Sequence, residues 1–259
     1  MTSPTLASPE TAAQAAPAPV GGMPLFYRRP RVLRPALHAG LSLAPAGDYR
    51  FAASANAVPL LASELPTAAR HFPIVFSREA VPHPMAVLGL RAGHNAFVEA
   101  DGRWRAGSYM PAYVRRHPFI FVEGEGAGGP RFTLCVDEEA ATVVPGRGNP
   151  FFDEAGQPTA ATRSALDFCR DYQMHHHATA ELGRALLAAD LLVEHRADVA
   201  LRDGERLSLS GFRVIDEARF AQLPDETFLE WRAKGWLPAI YAQLGSASAW
   251  SSLIDRLAD

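Results

Sequence analysis

Phe119-Ile-Phe-Val-Glu-Gly-Glu-Gly-Ala-Gly-Gly-Pro-Arg-Phe-Thr-Leu-Cys-Val136 sets two short apolar runs, Phe119 to Val122 and Phe132 to Val136, on either side of a glycine-rich stretch. Runs this short that are rich in β-branched and aromatic residues suit strands better than helices, and the glycines between them let the chain reverse. Two strands joined by a loop over Glu123 to Pro130 are therefore expected. That loop resembles a phosphate cradle only superficially, because no Lys-Ser/Thr follows its glycines and no helical pattern begins after them.

The same signature recurs upstream. Arg50-Phe-Ala-Ala, Pro73-Ile-Val-Phe, Met85-Ala-Val-Leu-Gly-Leu and Asn95-Ala-Phe-Val read as further strands. Asp101-Gly102, between Val98 and Trp104, reads as a tight turn, since glycine readily takes the positive φ such turns need. Ser63 is placed to cap a short helix over Glu64 to Arg70, Tyr113 to His117 is expected to add another turn, and Val143 to Asn149 an irregular linker. Met1 to Gly22, rich in Ala, Pro, Ser and Thr, reads as a flexible tail, because so few large apolar groups cannot offset the entropy of ordering.

At about Thr159 the period changes. A long helix is expected toward Leu192, with Leu166, Cys169, Gln173, His176, Ala180 and Leu187 along one stripe and a break near Gly183. Val193 to Leu201 and Leu207 to Ile215 flank Asp203-Gly204, a second hairpin signal. Asp225 is placed to cap a helix over Glu226 to Lys234 that ends at Gly235, and Ser246 or Ser248 to cap a last one through Leu257. Together these elements predict an α+β fold. Its expected form is a curled, mainly antiparallel sheet with a C-terminal helical part containing an additional β-hairpin, all in one domain over residues 23–259.

Composition narrows the function classes. Apolar residues at 48% and charged residues at 20% are those of an ordinary globular chain, and 259 residues suffice for a substantial core. With 25 basic and 28 acidic side chains the formal charge is −3, which gives no global attraction to nucleic acid, so no nucleic-acid partner is expected. Lys234 is the single lysine, a bias toward arginine that reads as coding composition rather than a binding surface. Cys135 and Cys169 form neither a disulfide framework nor a zinc spacing. Met1 to Val20 lacks the basic and apolar regions of a secretory signal, and no apolar run reaches the roughly 20 residues of a spanning helix. The expected location is the cytoplasm, with signal-independent export to the cell surface as the alternative.

Motifs for chemistry are scarce, and none assigns a cofactor. His175-His176-His177 attracts attention, but on a helix neighbouring side chains diverge by about 100°, so the three rings cannot close on one ion. The triplet reads as a solvated face with His176 turned partly inward, and no metal site is assigned. The remaining histidines are scattered, and none opens a His-x-Asp/Glu iron motif. There is no Gly-x-Ser-x-Gly elbow, and Gly89-Leu-Arg-Ala-Gly is too short for a dinucleotide fingerprint. The stretch Trp104 to Phe119 stands out instead. Its Trp104, Tyr109, Tyr113, Arg115 and Arg116 combine aromatic surface with guanidinium groups, which suits carboxylate, sugar or peptide ligands. The alternative is internal: the rings pack and the arginines pair with acids such as Asp137 or Asp216.

Several segments in order resemble the SapC family: Pro24-Leu-Phe-Tyr-Arg-Arg-Pro with His38, His71-Phe-Pro-Ile-Val-Phe76, Ala86-Val-Leu-Gly-Leu90, Asn95-Ala-Phe-Val98, Asp101-Gly-Arg-Trp104, and Tyr109-Met-Pro-Ala-Tyr-Val-Arg-Arg-His-Pro-Phe119. Leu166-Asp-Phe, Tyr172-Gln, Gly211-Phe-Arg-Val-Ile-Asp-Glu217 and Gly235-Trp-Leu-Pro-Ala-Ile-Tyr-Ala-Gln-Leu244 continue it to the C-terminus. The resemblance implies a bacterial protein linked to surface layers and transfers no active-site residue. His117 stands where the family pattern has tyrosine, which makes it a poor catalytic candidate, and the triple histidine lies outside that pattern.

Three readings follow. The first is a non-enzymatic protein of surface-layer or cell-envelope assembly that binds a peptide or glycan through the Trp104 to Arg116 residues. The second is a metal-dependent enzyme acting on a peptide or small molecule. The third is a structural partner whose Trp231, Trp236, Tyr241 and Trp250 form an interface. Oligomeric state is left open.

Overall fold

The computed structural model of the chain describes residues 12–14, 23–45, 47–126, 129–200 and 206–256. The expected tail lies outside these residues except for 12–14, and so does the Asp203-Gly204 turn. The strands are β1 (Ala12–Gln14), β2 (Pro30–Val32), β3 (Leu41–Leu43), β4 (Ala57–Pro59), β5 (Ile74–Phe76), β6 (Pro84–Val87), β7 (Phe119–Gly126), β8 (Gly129–Asp137), β9 (Val143–Pro145), β10 (Asn149–Pro150), β11 (Leu192–Ala200) and β12 (Arg206–Ile215). The α-helices are α1 (Pro35–His38), α2 (Leu65–Ala68), α3 (Ala112–Arg115), α4 (Ala160–Ala188), α5 (Glu217–Phe220), α6 (Asp225–Ala233), α7 (Leu237–Gly245) and α8 (Ala249–Asp255). The fold is α+β, as expected.

The expected single curled sheet is instead three. β1, β12, β5, β6 and β4 lie side by side with β11 paired to β12; β2, β8 and β7 form a second sheet, and β10, β3 and β9 a third. Apart from the parallel β1–β12 contact, the pairing is antiparallel. The C-terminal hairpin is not a separate addition, because β12 joins β5 through the pair Arg213 and Phe76. That single rung is reinforced by Gln243 of α7 and by Ser246 just after it: Gln243 Nε2 donates to Ile74 O (3.1 Å) while its Oε1 accepts from Ile215 N (3.3 Å), and Ser246 Oγ accepts from Ile74 N (3.0 Å). Buried donors and acceptors at a thin joint between strands are thus satisfied by side chains, as buried backbone requires.

Several local expectations are corrected. Arg50–Ala52 is a 3₁₀ turn rather than a strand, and Asn95 to Val98 contributes only the isolated bridge between Val98 and Trp104 around the Asp101-Gly102 turn. Alanine and asparagine give these runs little of the β-branched surface that holds a strand in place. The first half also holds two strands, β9 and β10, where a linker was expected; both pair with β3. Ser63 does not cap the early helix: Glu64 reaches back to Leu61 N (2.9 Å) and closes the turn itself. Likewise Asp225 is the first residue of α6, with Pro224 before it.

The helix α4 starts where Thr159 accepts a hydrogen bond from Thr162 N, runs unbroken past Gly183 and stops at Ala188. Its buried face carries Cys169, Tyr172, Thr179, Gly183 and Leu186, so Leu187 falls outside it and is exposed. No helix among the described residues is long and apolar enough to cross a membrane. The main core runs continuously from Ala52 to Leu253, joining residues of the strand-rich and helix-rich halves, and a smaller cluster around Phe119, Phe151 and Cys169 fills the space under α4.

Candidate functional site

Asp137, the last residue of β8, and Glu138, in the turn that follows it, are adjacent acids whose side chains go to different partners. Asp137 is buried and accepts backbone hydrogen bonds from Arg28 (2.9 Å), Arg29 (2.8 Å) and Glu139 (3.2 Å). Glu138 takes the Arg29 guanidinium (2.6 Å) and lies 3.2 Å from Nε2 of the buried His38. The arginine beside Glu138 holds its carboxyl below the usual range. One strand terminus therefore ties down both the 28–29 segment and α1.

Above Asp137 lies His117, whose Nε2 is 4.0 Å from Asp137 Oδ2 and whose ring stacks on Phe51 at 3.9 Å. Burial pushes the imidazole pKa down to about 4, Asp137 opposes that shift and Arg116 adds to it. His117 is therefore a neutral ring at pH 7. Its Nδ1 is buried without a hydrogen-bond partner among the described residues.

His117 and Asp137 form the inner wall of a cleft of about 460 Å³. Phe26 and Phe51 supply its apolar surface, packed edge to face at 5.2 Å. Its rim is charged: Arg28, Glu139, and the Asp48–Arg50 ion pair (2.9 Å), with Arg50 further anchored to Asp101 O at 2.9 Å. Thr142 also lines it, and its hydroxyl is buried without a partner among the described residues. Apolar walls with a few convergent polar groups are the usual construction of a small-molecule or segment-binding site.

The five residues singled out from sequence lie beside this cleft rather than in it. Trp104 is buried and donates to Tyr109 O (3.0 Å). Tyr109 donates to the buried carboxylate of Glu64 (2.8 Å), which also accepts from Ala112 N (2.7 Å) and Leu61 N (2.9 Å). Tyr113 is buried and reaches Leu25 O at 3.3 Å. Arg116 lies over the rings of Tyr113 (4.1 Å), Tyr172 (4.4 Å) and Tyr27 (5.6 Å). Burial opposes its charge, but the tyrosines more than compensate and its pKa stands above the ordinary value. Cation–π contacts of this desolvated kind are worth about 2 kcal/mol. Arg115 alone is exposed, bridging Tyr109 and Phe168. Neither arginine pairs with Asp137 or Asp216; Asp216 instead holds Arg219.

What sequence reasoning missed is the cleft itself. Phe26, Arg28, Asp48, Phe51, Asp137 and Thr142 come from three separate stretches, and only His117 belongs to the Trp104 to Phe119 segment. The one available signal was the clustering of aromatic and charged residues at 25–29 and 48–51.

The histidine triplet splits as the helix geometry requires. His175 and His177 are exposed, while His176 turns inward and stacks on His83 at 4.8 Å with the rings 4° from parallel. No group of three His, Cys, Asp or Glu side chains among the described residues is arranged to hold a metal ion. Cys169 is buried, which pushes its thiol up to about 12 and leaves no nucleophilic thiolate at neutral pH. In the C-terminal helices Trp231 is buried, whereas Tyr241 is exposed.

The stacked pair makes stability pH-dependent. Burial, with His83, Arg116 and His177 adding to it, lowers the His176 pKa from 6.5 to about 4, and burial lowers that of His83, with Glu79 opposing and Arg184 assisting. The unfolded chain therefore takes up these protons at higher pH than the folded one. Stability is full above about pH 6.5 and is lost progressively toward pH 4. Thermal melts should show Tm falling across that window, with a shallower fall in His176→Gln; parallel slopes would remove His176 from the account.

A family model described as SapC matches residues 33–253, most of the chain. Comparison with curated proteins and with solved structures finds no match.

Proposed function

The chain belongs to the SapC family, and from that premise we propose that it is a binding protein of surface-layer or cell-envelope assembly, whose ligand, a peptide or glycan, seats in the His117–Asp137 cleft. The observation that carries this reading is the cleft's construction: phenylalanine surface on its walls and a rim of charged side chains of both signs.

Ala141 stands exposed at the cleft mouth, so Ala141→Trp fills the opening without disturbing the core. Solubilised surface-layer protein and envelope glycan fragments should bind immobilised wild-type protein and bind Ala141→Trp at least about tenfold more weakly. Arg115→Ala serves as the control for the neighbouring exposed patch. Equal binding by wild type and Ala141→Trp, with loss in Arg115→Ala, would move the site to the Tyr109–Arg115 surface.

A further inference from the structure

The cleft also indicates which of the two ligand chemistries it takes. Resting on the reading above, we propose that its ligand is a peptide segment carrying positive and negative groups close together, rather than a neutral glycan. The Asp137 carboxylate receives Arg28 N on one oxygen and Glu139 N on the other. A guanidinium and a carboxylate therefore start from backbone positions on two sides of a single carboxylate group. Arg28 and Glu139 are both exposed at the rim. Across the mouth stands a second pair of opposite sign, Asp48 with Arg50.

The charge balance gives the ligand's sign. Two guanidinium groups face three carboxylates around the cleft, and His117, held neutral by its burial, contributes nothing at pH 7. A ligand with both signs and a net charge of zero or slightly positive matches that field. A neutral sugar can answer the rim charges with hydrogen bonds only, whereas a ligand of both signs adds ionic contacts to them. A peptide answers each element: its side chains or termini meet Arg28 and Glu139, and an apolar side chain covers Phe26 and Phe51. Sheet edges and stacked sugars need different surroundings, a free strand edge or an open aromatic platform. Here Phe51 already has one face on His117.

Titration of the full chain, followed by NMR and calorimetry, tests this with hexapeptides holding Lys and Glu one to four residues apart. An all-alanine hexapeptide and N,N′-diacetylchitobiose are the comparisons. The Lys/Glu peptides are expected to bind, with affinity falling about fivefold in Arg28→Ala or Glu139→Gln, weakening further in 0.5 M salt, and vanishing in Ala141→Trp. Tighter or equal binding of the disaccharide or the alanine peptide overturns the peptide assignment while leaving the cleft as the site. No response to any Lys/Glu peptide, while envelope fragments still bind wild type and not Ala141→Trp, also overturns the assignment and spares the cleft. If the fragments bind Ala141→Trp as well as wild type, the cleft reading falls too.

Discussion

Asp137→Ala should lose about 3–5 kcal/mol of folding stability, the largest effect expected of a single side chain near the cleft. The carboxylate is buried and holds three backbone N–H groups, those of Arg28, Arg29 and Glu139. Alanine removes all three acceptor contacts together, and each charge-assisted bond of this kind is worth about 1.5–3 kcal/mol, less where water can enter. Water does reach the exposed 28–29 segment, which sets the total below the simple sum. In a chain of this size the loss amounts to about 8–15 °C in Tm. Asp137→Asn keeps one carbonyl oxygen but turns an amide donor toward N–H groups, so it should fall between wild type and alanine. Chemical denaturation measures both variants, and hydrogen exchange at Arg28 and Arg29 reports the local opening. A loss under about 1 kcal/mol in Asp137→Ala would mean that the segment holds itself without the carboxylate.

Gly183→Ala sets two effects against each other. Within a helix, alanine is favoured over glycine by about 1 kcal/mol. Here, however, a Cβ would sit 2.0 Å from the carbonyl oxygen of Pro82 and 3.1 Å from its carbon, both backbone atoms with no rotamer to relieve the contact. Helix α4 would have to move off the 77–83 loop, and overpacking of that kind costs about 1–3 kcal/mol or more. The clash should win, with a net loss of up to about 2 kcal/mol and Tm lower by up to about 8 °C. Gly245→Ala provides the contrast: it also lies in a helix, nothing surrounds its added Cβ, and it should be neutral or stabilising. The same displacement would part His83 from His176 two turns earlier on α4, so Gly183→Ala should also flatten the loss of stability between about pH 6.5 and 4. Equal stability of the Gly183 and Gly245 variants would show that the loop yields without cost.

Gly183 also illustrates where local reading stops. A glycine in a helical pattern looks like a weak point, and the expected break followed from that. Its real role is close approach to Pro82, which depends on a loop about a hundred residues away and leaves no trace in the period of α4. The stripe on that helix was placed nearly correctly, since Cys169 and Ala180 are buried and His176 partly so, but Tyr172 and Leu186 show it to be rotated slightly.

The sequence by itself determined the α+β class, the strand pair at 119–136, the long helix, the C-terminal hairpin and the family. These depend on side-chain period, turn residues and ordered motifs, all of which are local or collinear. Only the tertiary structure decided that the strands divide into three sheets and that Trp104, Tyr113 and Arg116 spend their aromatic and polar groups mainly on the protein itself. It alone assembled the cleft, because Asp137 draws Arg28, Arg29 and Glu139 together across more than a hundred residues of chain. Pairing of that range is set by which buried carboxylate finds which unpaired N–H groups, a satisfaction rule that acts in space and is not written into any one stretch of sequence.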